Sequence, residues 1–147
     1  MVTDFLVIGS GIAGLSFSLD AAELGEVVIV TKKTSADTAT NRAQGGIAAV
    51  LDEQDTFEEH IKDTLNAGDG LCDEEVVRMV VTKGPSRVRQ LIKIGVDFAK
   101  DSEGHMSLGM EGGHSRRRVA HAGDLTGREI ETALLKTVQR EKNVTVL

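Results

Sequence analysis

The sequence predicts an α/β fold, and three observations near its start carry that reading. Phe5-Leu6-Val7-Ile8 is a short, branched apolar run of the kind that forms a buried parallel strand. Gly9-Ser10-Gly11-Ile12-Ala13-Gly14 is a G-x-G-x-x-G turn, followed by a helical segment carrying Leu15, Phe17, Leu19, Ala22 and Leu24. Val27-Val28-Ile29-Val30 supplies a second strand. Together they make a β-α-β unit, the core of a Rossmann-like domain into which further helices are inserted.

Each glycine in the turn has an expected physical task. Gly9 makes the tight turn, Gly11 lets backbone approach a pyrophosphate, and Gly14 lets helix and strand pack closely. The helix start then offers unpaired N–H groups and the positive end of its dipole to phosphates. Gly25 stands where a helix C-terminus favours a residue tolerant of positive φ. Glycine turns also occur in ordinary loops, but this one lies between a strand and a helix, which makes chance the weaker reading. The second strand should end in an acid that holds a ribose; it ends Val30-Thr31-Lys32-Lys33 instead. That counts against a plain NAD-binding module. Lys32 meets a phosphate in one reading and is a solvated surface lysine in the other.

Composition narrows the classes. The 147 residues suffice for one domain with a buried core. A net charge of −6 disfavours nucleic acid as a partner, and the absence of Trp and Tyr removes stacking platforms for bases. Cys72 is the one cysteine, so no intrachain disulfide forms, which fits a reducing cytoplasm. Met1-Val2-Thr3-Asp4 leads directly into the first strand, and no stretch reads as a leader or a membrane span. No metal-ligand cluster stands out.

Beyond the second strand, Thr34 to Asn41 reads as a loop. Arg42-Ala43-Gln44-Gly45-Gly46-Ile47-Ala48-Ala49-Val50 either lays backbone against a flat ligand or is a glycine turn entering a strand. Thr56 to Ala67 reads as a helix with Phe57, Ile61 and Leu65 on one face, a Thr56/Glu59 capping box and a stop at Gly68. Asp73 caps a second helix with a Val76, Val77, Val80, Val81 stripe ending at Lys83-Gly84, and Pro85 opens a third that ends at Gly95. Val96-Asp97-Phe98-Ala99 reads as a short strand. Leu108-Gly109-Met110-Glu111-Gly112-Gly113-His114-Ser115-Arg116-Arg117-Arg118 joins an acid, glycines, a histidine and three arginines without helical period. The arginines read as a solvated or salt-bridged surface, while Glu111 and His114 suit a site where backbone and ligand come close. Thr126 and Glu129 have capping-box spacing ahead of a helix carrying Ile130, Ala133, Leu134 and Val138, and Asn143-Val144-Thr145-Val146-Leu147 closes as a strand.

Taken in order, Gly9-Ser10-Gly11-Ile12-Ala13-Gly14-Leu15, Thr31-Lys32, Ala43-Gln44-Gly45-Gly46-Ile47-Ala48, Glu111-Gly112-Gly113-His114-Ser115 and Asp124-Leu125-Thr126-Gly127-Arg128-Glu129 resemble the flavoprotein family of succinate dehydrogenase, fumarate reductase and L-aspartate oxidase. Within it, the Glu111–Ser115 and Thr126–Glu129 stretches look more like the aspartate-oxidising members than the dicarboxylate-reducing ones. The resemblance implies FAD as cofactor, with Gly9, Ser10, Gly11, Ile12, Ala13 and Gly14 along its pyrophosphate and Lys32 near the adenosine. Ala39, Thr40, Asn41, Arg42, Ala43, Gln44, Gly45 and Gly46 would line the flavin end. Ala39 stands where membrane-complex relatives carry a flavin-linked histidine and has no nucleophilic atom, so the flavin is expected to be non-covalent. Glu111, with His114, would orient substrate through its α-ammonium; pairing of Glu111 with one of Arg116 to Arg118 is the other reading.

The implied activity is oxidation of L-aspartate to iminoaspartate for quinolinate and NAD synthesis, with oxygen or fumarate as acceptor. A fumarate reductase or succinate dehydrogenase flavoprotein and a non-catalytic dinucleotide-binding module are the alternatives. Quinolinate synthase and self-association are the partner expectations; nucleic acid and membrane are not expected. Family members are several times longer, so residues 1–147 are expected to be the N-terminal part of an FAD-binding domain. The capping domain, the C-terminal domain and a catalytic acid/base arginine are expected downstream. Alone, this piece is expected to be inactive, to retain FAD weakly and to leave a sheet edge and apolar surface uncovered.

Overall fold

The computed structural model describes residues 2–32, 35–123 and 125–147. The elements run β1 (Phe5–Ile8), α1 (Ile12–Ala21), β2 (Val27–Val30), α2 (Ala39–Arg42), β3 (Ile47–Ala48), α3 (Phe57–Ala67), α4 (Glu74–Ile94), β4 (Leu108–Gly109), β5 (Val119–Ala120), α5 (Thr126–Val138) and β6 (Val144–Val146). They fall into two compact units, residues 1–44, 94–96 and 125–147 in one and residues 45–93 and 97–124 in the other.

The first unit holds a parallel sheet in the order β1-β2-β6. Phe5 pairs with Val27 and Ile8 with Val30, while Val27 pairs in turn with Val144. Phe5 meets Phe17 of α1 edge-on with centroids 6.2 Å apart, so Phe5 and Val7 face the helix. Leu15, Ile29, Leu134 and Val138 are almost wholly buried and form the core. The expected buried first strand is corrected in part. β1 lies at the sheet edge, and Leu6 and Ile8 on its other face are 62% and 86% exposed, because a strand's side chains alternate and helices cover one face.

Gly25 also differs from expectation. α1 ends at Ala21, and Gly25 does not take positive φ. A Cβ there would collide with the Asp4 carboxylate, which accepts from the Glu26 amide at 2.9 Å. The 34–41 loop is corrected too: Thr38 caps the short helix α2, its hydroxyl accepting from the Asn41 amide at 3.1 Å. Lys33, Thr34 and Asp124 lie outside the described residues.

The second unit contains an antiparallel sheet in the order β3-β5-β4, with α3 and α4 packed around Ile61, Val77 and Val81. α3 starts where expected: the Thr56 hydroxyl accepts from the Glu59 amide at 3.2 Å, and Gly68 is the C-cap. Asp73 Oδ1 likewise accepts from the amides of Glu75 and Val76. The two helices expected around Pro85 are one continuous helix. Pro85 removes a backbone bond at a cost of about 3 kcal/mol. Val81, Pro85, Val88 and Leu91 all bury one face, at about 1.5–3 kcal/mol for each large apolar side chain, and that sum prevails. The buried stripe therefore runs through Val77 and Val81, while Val76 and Val80 are half-exposed. Gly95 takes φ +110 just past the helix end. Val96 to Ala99 form no strand; the Ala99 amide instead donates to His121 O and its carbonyl accepts from Ser107, each at 2.8 Å. Thr126 is the first residue of α5 rather than its cap, which is Leu125 with no side-chain cap bond, so the second capping box does not form.

Candidate functional site

In the first unit the glycine turn has the geometry its sequence demands. Gly9 takes φ +103, a left-handed conformation that only glycine adopts cheaply, and its amide donates to Val30 O at 2.8 Å. A Cβ on Gly14 would run into the Gly9 carbonyl and Val7, so α1 sits against β1 only because none is there. Gly11 is the N-cap of α1, with the Thr40 hydroxyl 3.3 Å from where its Cβ would be. That hydroxyl accepts from the Ile12 amide at 3.1 Å. Thr40 thus occupies the first helical amide and braces α2 against the turn. Ser10 is buried, its hydroxyl bonded to the Thr31 hydroxyl at 3.0 Å and the Ser35 carbonyl at 2.9 Å. Its side chain locks the turn to the end of β2, leaving backbone, not hydroxyl, to face a ligand.

Beside this turn, Lys32, Asp37, Thr38, Ala39, Arg42 and Ala43 line a cavity of about 420 Å³. Arg42 is exposed and ion-paired to Asp37, and Asn41 donates to the Ala36 carbonyl at 2.8 Å, which fixes this wall. The Ala43 carbonyl accepts from Gly127 at 3.0 Å, and Gly127 has no room for a side chain against Thr40 and Ala43. A diphosphate needs close backbone approach, a helix start and nearby cations. The turn supplies the first, α1 offers its start with the Ile12 amide already taken by Thr40, and Lys32 and Arg42 are the cations, Arg42 in its ion pair with Asp37.

Asp55 and Glu131 are buried acids that the sequence reading does not single out. Glu131 in α5 is 1% exposed, and neither carboxylate oxygen finds a hydrogen bond among the described residues. Burial raises its carboxyl above the ordinary range; the Thr38 hydroxyl lies near enough to oppose that without forming a well-aligned bond. The signal was present, since Glu131 lies one turn beyond Gly127 and beside Ile130 and Leu134 on the buried stripe.

In the second unit the paired glycines do different work. A Cβ on Gly46 would strike the Ala120 carbonyl and Val119, so Gly46 lets β3 lie tight on β5. A Cβ on Gly45 would sit 3.6 Å from Glu111 Oε1. Glu111 is therefore beside the exposed glycine pair, at the tip of the loop joining β4 to β5. Its carbonyl accepts from the His114 amide at 3.2 Å in a turn that Gly113 closes with φ +85. Among the described residues Glu111 makes no ion pair: Arg116 pairs with Glu59 at 3.0 Å and Arg118 with Asp55 and Asp63. Arg117 is exposed. The alternation follows from extended backbone, which sends residues 116 and 118 to α3 and 117 away.

Asp63 accepts from the Ser115 amide at 2.7 Å, from its hydroxyl at 2.8 Å and from Arg118 at 2.7 Å. Burial works to raise the Asp63 carboxyl, but those bonds outweigh it and hold the group below its ordinary value. His60 and His114 meet edge-to-face with centroids 6.1 Å apart, and the Nδ1 of each is buried without a partner among the described residues. Burial, then the Arg118 charge, push the His60 imidazole below 6.5. The unfolded chain therefore takes up this proton first as pH falls. The His60 contribution to stability is whole above 6.5 and is lost as pH drops through the folded value. Thermal midpoints measured from about pH 7 to about pH 5 should decline less steeply in His60→Gln than in the parent; parallel curves would show that His60 does not titrate this way. Among the described residues no group of three or more potential metal ligands forms, and no helix is long and apolar enough to cross a membrane.

Comparison with known proteins gives consistent results. Residues 4–147 match the model of the FAD binding domain family. The chain is 51% identical over 143 residues to a chloroplastic L-aspartate oxidase 2-b of Nicotiana tabacum, covering 97% of this chain and 22% of that protein. It is 46% identical over 149 residues to an L-aspartate oxidase of Vibrio cholerae, covering 98% and 28%. Among solved structures, an E. coli quinol fumarate reductase superposes with a TM-score of 0.93 at 29% identity, over 98% of this chain and 25% of that one. A Mycobacterium smegmatis Sdh1 complex in the apo form gives 0.89 at 31% identity, over 99% and 27%. The chain spans about a quarter of the length of the curated relatives it matches.

Proposed function

The chain belongs to the FAD binding domain family, and from that premise we propose that the intact protein uses FAD, held without a covalent bond, to oxidise L-aspartate to iminoaspartate. The observation that carries the substrate is the Glu111 carboxylate. It stands beside Gly45 free of ion pairs among the described residues, while the neighbouring arginines are taken up by Asp55, Glu59 and Asp63. A carboxylate so placed attracts an α-ammonium and repels a dicarboxylate that lacks one, such as succinate.

FAD, when bound, supplies the two-electron chemistry. The residues of this chain supply placement. Gly9 to Gly14 present backbone and the start of α1 to the diphosphate, Lys32 and Arg42 add positive charge beside the cavity they line, and Ala39 offers no atom for a covalent link. Glu111 holds the substrate ammonium, with His114 packed behind it on His60. L-Aspartate would give up hydride from Cα, its electrons passing by way of FAD to oxygen or fumarate, and a proton from nitrogen to solvent. Quinolinate synthase is the proposed consumer of the product, the cytoplasm the proposed location, and the exposed Leu6, Ile8 and Val30 the proposed face for self-association. Residues 1–147 are proposed to be the N-terminal part of the FAD-binding domain.

The likeness to fumarate reductase favours a second reading, a dicarboxylate-reducing flavoprotein. Assaying the intact protein for peroxide with L-aspartate against dye reduction with succinate separates the two. Peroxide from aspartate alone is expected; turnover of succinate alone refutes the proposal. Tight FAD binding with neither activity would leave the non-catalytic module.

A further inference from the structure

We propose that Asp63 is a positioning residue that sets the Glu111 carboxylate for the substrate ammonium, acting through Ser115 with Arg118 and Asp55 as its buried support. This rests on the reading of Glu111 given above and deepens it.

A carboxylate at the tip of an exposed loop is a poor anchor unless something fixes the loop, because each unfixed backbone residue costs free energy to order on binding. Here the loop is fixed from one side only four residues away. Asp63 takes both the amide and the hydroxyl of Ser115, and His114, next in the chain, bonds back to the Glu111 carbonyl. The two ends of the 111–115 segment are thereby held as one turn. Asp63 is held in its turn. Its Oδ2 also accepts from Arg118, which is wholly buried and bidentate to Asp55 through bonds of 2.9 Å and 2.8 Å. Asp55 is tied to the start of α3 by the Thr56 amide at 2.9 Å and by its own amide donating to Asp52 at 3.2 Å. The Arg118 amide donates to Gly109 and its carbonyl accepts from Ala49, so the same residue fixes the root of the loop to the sheet.

The cluster sets two carboxylates against one guanidinium. Neutralising Asp63 therefore leaves Arg118 paired to Asp55, whereas removing Arg118 would leave two acids bare. Asp63 is also the less buried of the acids, with 13% of its side chain exposed against 1% for Asp55. It is thus the member whose function can be examined without dismantling the unit.

In the intact enzyme, Asp63→Asn should raise the KM for L-aspartate about tenfold with kcat and FAD affinity little changed, the scale of one weakened charge-assisted hydrogen bond. Ser115→Ala, which leaves the ion cluster whole, should raise it by a smaller factor and keeps the test open if Asp63→Asn folds poorly. The decisive comparison is the double variant with Glu111→Gln. If Asp63 acts through Glu111, Asp63→Asn adds nothing further in that background. An effect of Asp63→Asn and Ser115→Ala that persists in full in the Glu111→Gln background overturns the proposal, as does the absence of any effect while Glu111→Gln alone raises KM. If Glu111→Gln itself leaves the KM for L-aspartate unchanged, the reading of Glu111 falls and takes this inference with it.

Discussion

Arg118→Met should destabilise the protein by about 3–5 kcal/mol, the scale of losing one partner from a buried ion cluster. The guanidinium is wholly buried and makes three bonds of 2.7–2.9 Å to Asp55 and Asp63. Methionine fills much of the same volume, so the loss comes from stranded charge and not from a cavity. Two signatures follow. The deficit should narrow in acid, where the carboxylates can protonate, and it should be partly recovered by adding Asp55→Asn and Asp63→Asn to the same chain. Denaturant unfolding of the three proteins at neutral and acid pH measures both. A loss under about 1 kcal/mol would mean that this cluster behaves like a surface ion pair, and that its burial does not matter.

Gly14→Ala carries the second large effect. The added Cβ would lie on the Gly9 carbonyl oxygen, closer than side chains ever approach, with Gly9 C at 3.2 Å and Val7 Cγ1 at 3.3 Å. The obstacle is backbone, so no rotamer change relieves it and α1 must move off β1. Overpacking of this kind costs about 1–3 kcal/mol, and the shift displaces the amides that face the diphosphate. FAD affinity should fall more than about tenfold. Gly11→Ala is the matched control: its Cβ meets only the Thr40 hydroxyl, at 3.3 Å, and that side chain can yield. Equal effects of the two substitutions on folding would show that the close contact of α1 with β1 is not what Gly14 provides.

The β-α-β unit was legible because its signals are local. A glycine at φ +103, a crowded glycine at 14 and a branched run on either side each follow from a few neighbouring residues. The same holds for the Thr56 and Asp73 caps. What could not be read locally is what depends on a distant partner. Leu6 and Ile8 look like core by composition, but the side chains of β1 alternate, and only the Phe5 and Val7 face is covered by α1. Pro85 looks like a helix start, and the face formed by Val81, Val88 and Leu91 carries the helix through it. The run from Arg116 to Arg118 reads as uniform positive charge. Only Asp55 and, in α3, Asp63, both more than 50 residues earlier, separate a buried guanidinium from an exposed one. Glu131 fails for the opposite reason: charge argued for solvent, and its place on the stripe of Ile130 and Leu134 buries it. At the candidate site, the geometry of Gly9 and Gly14 followed from sequence. The freedom of Glu111 from the arginines did not.

FAD binding here depends on the contact between the glycine turn and a diphosphate, which is measured by comparing the affinities of the intact apoprotein for FAD and for riboflavin. If the diphosphate is held by the backbone of Gly9 to Gly14, FAD should bind at least about 100-fold more tightly than riboflavin, the scale of one or two charge-assisted hydrogen bonds. Riboflavin binding within a few-fold of FAD would place the affinity elsewhere and rule out the glycine turn as the diphosphate's holder.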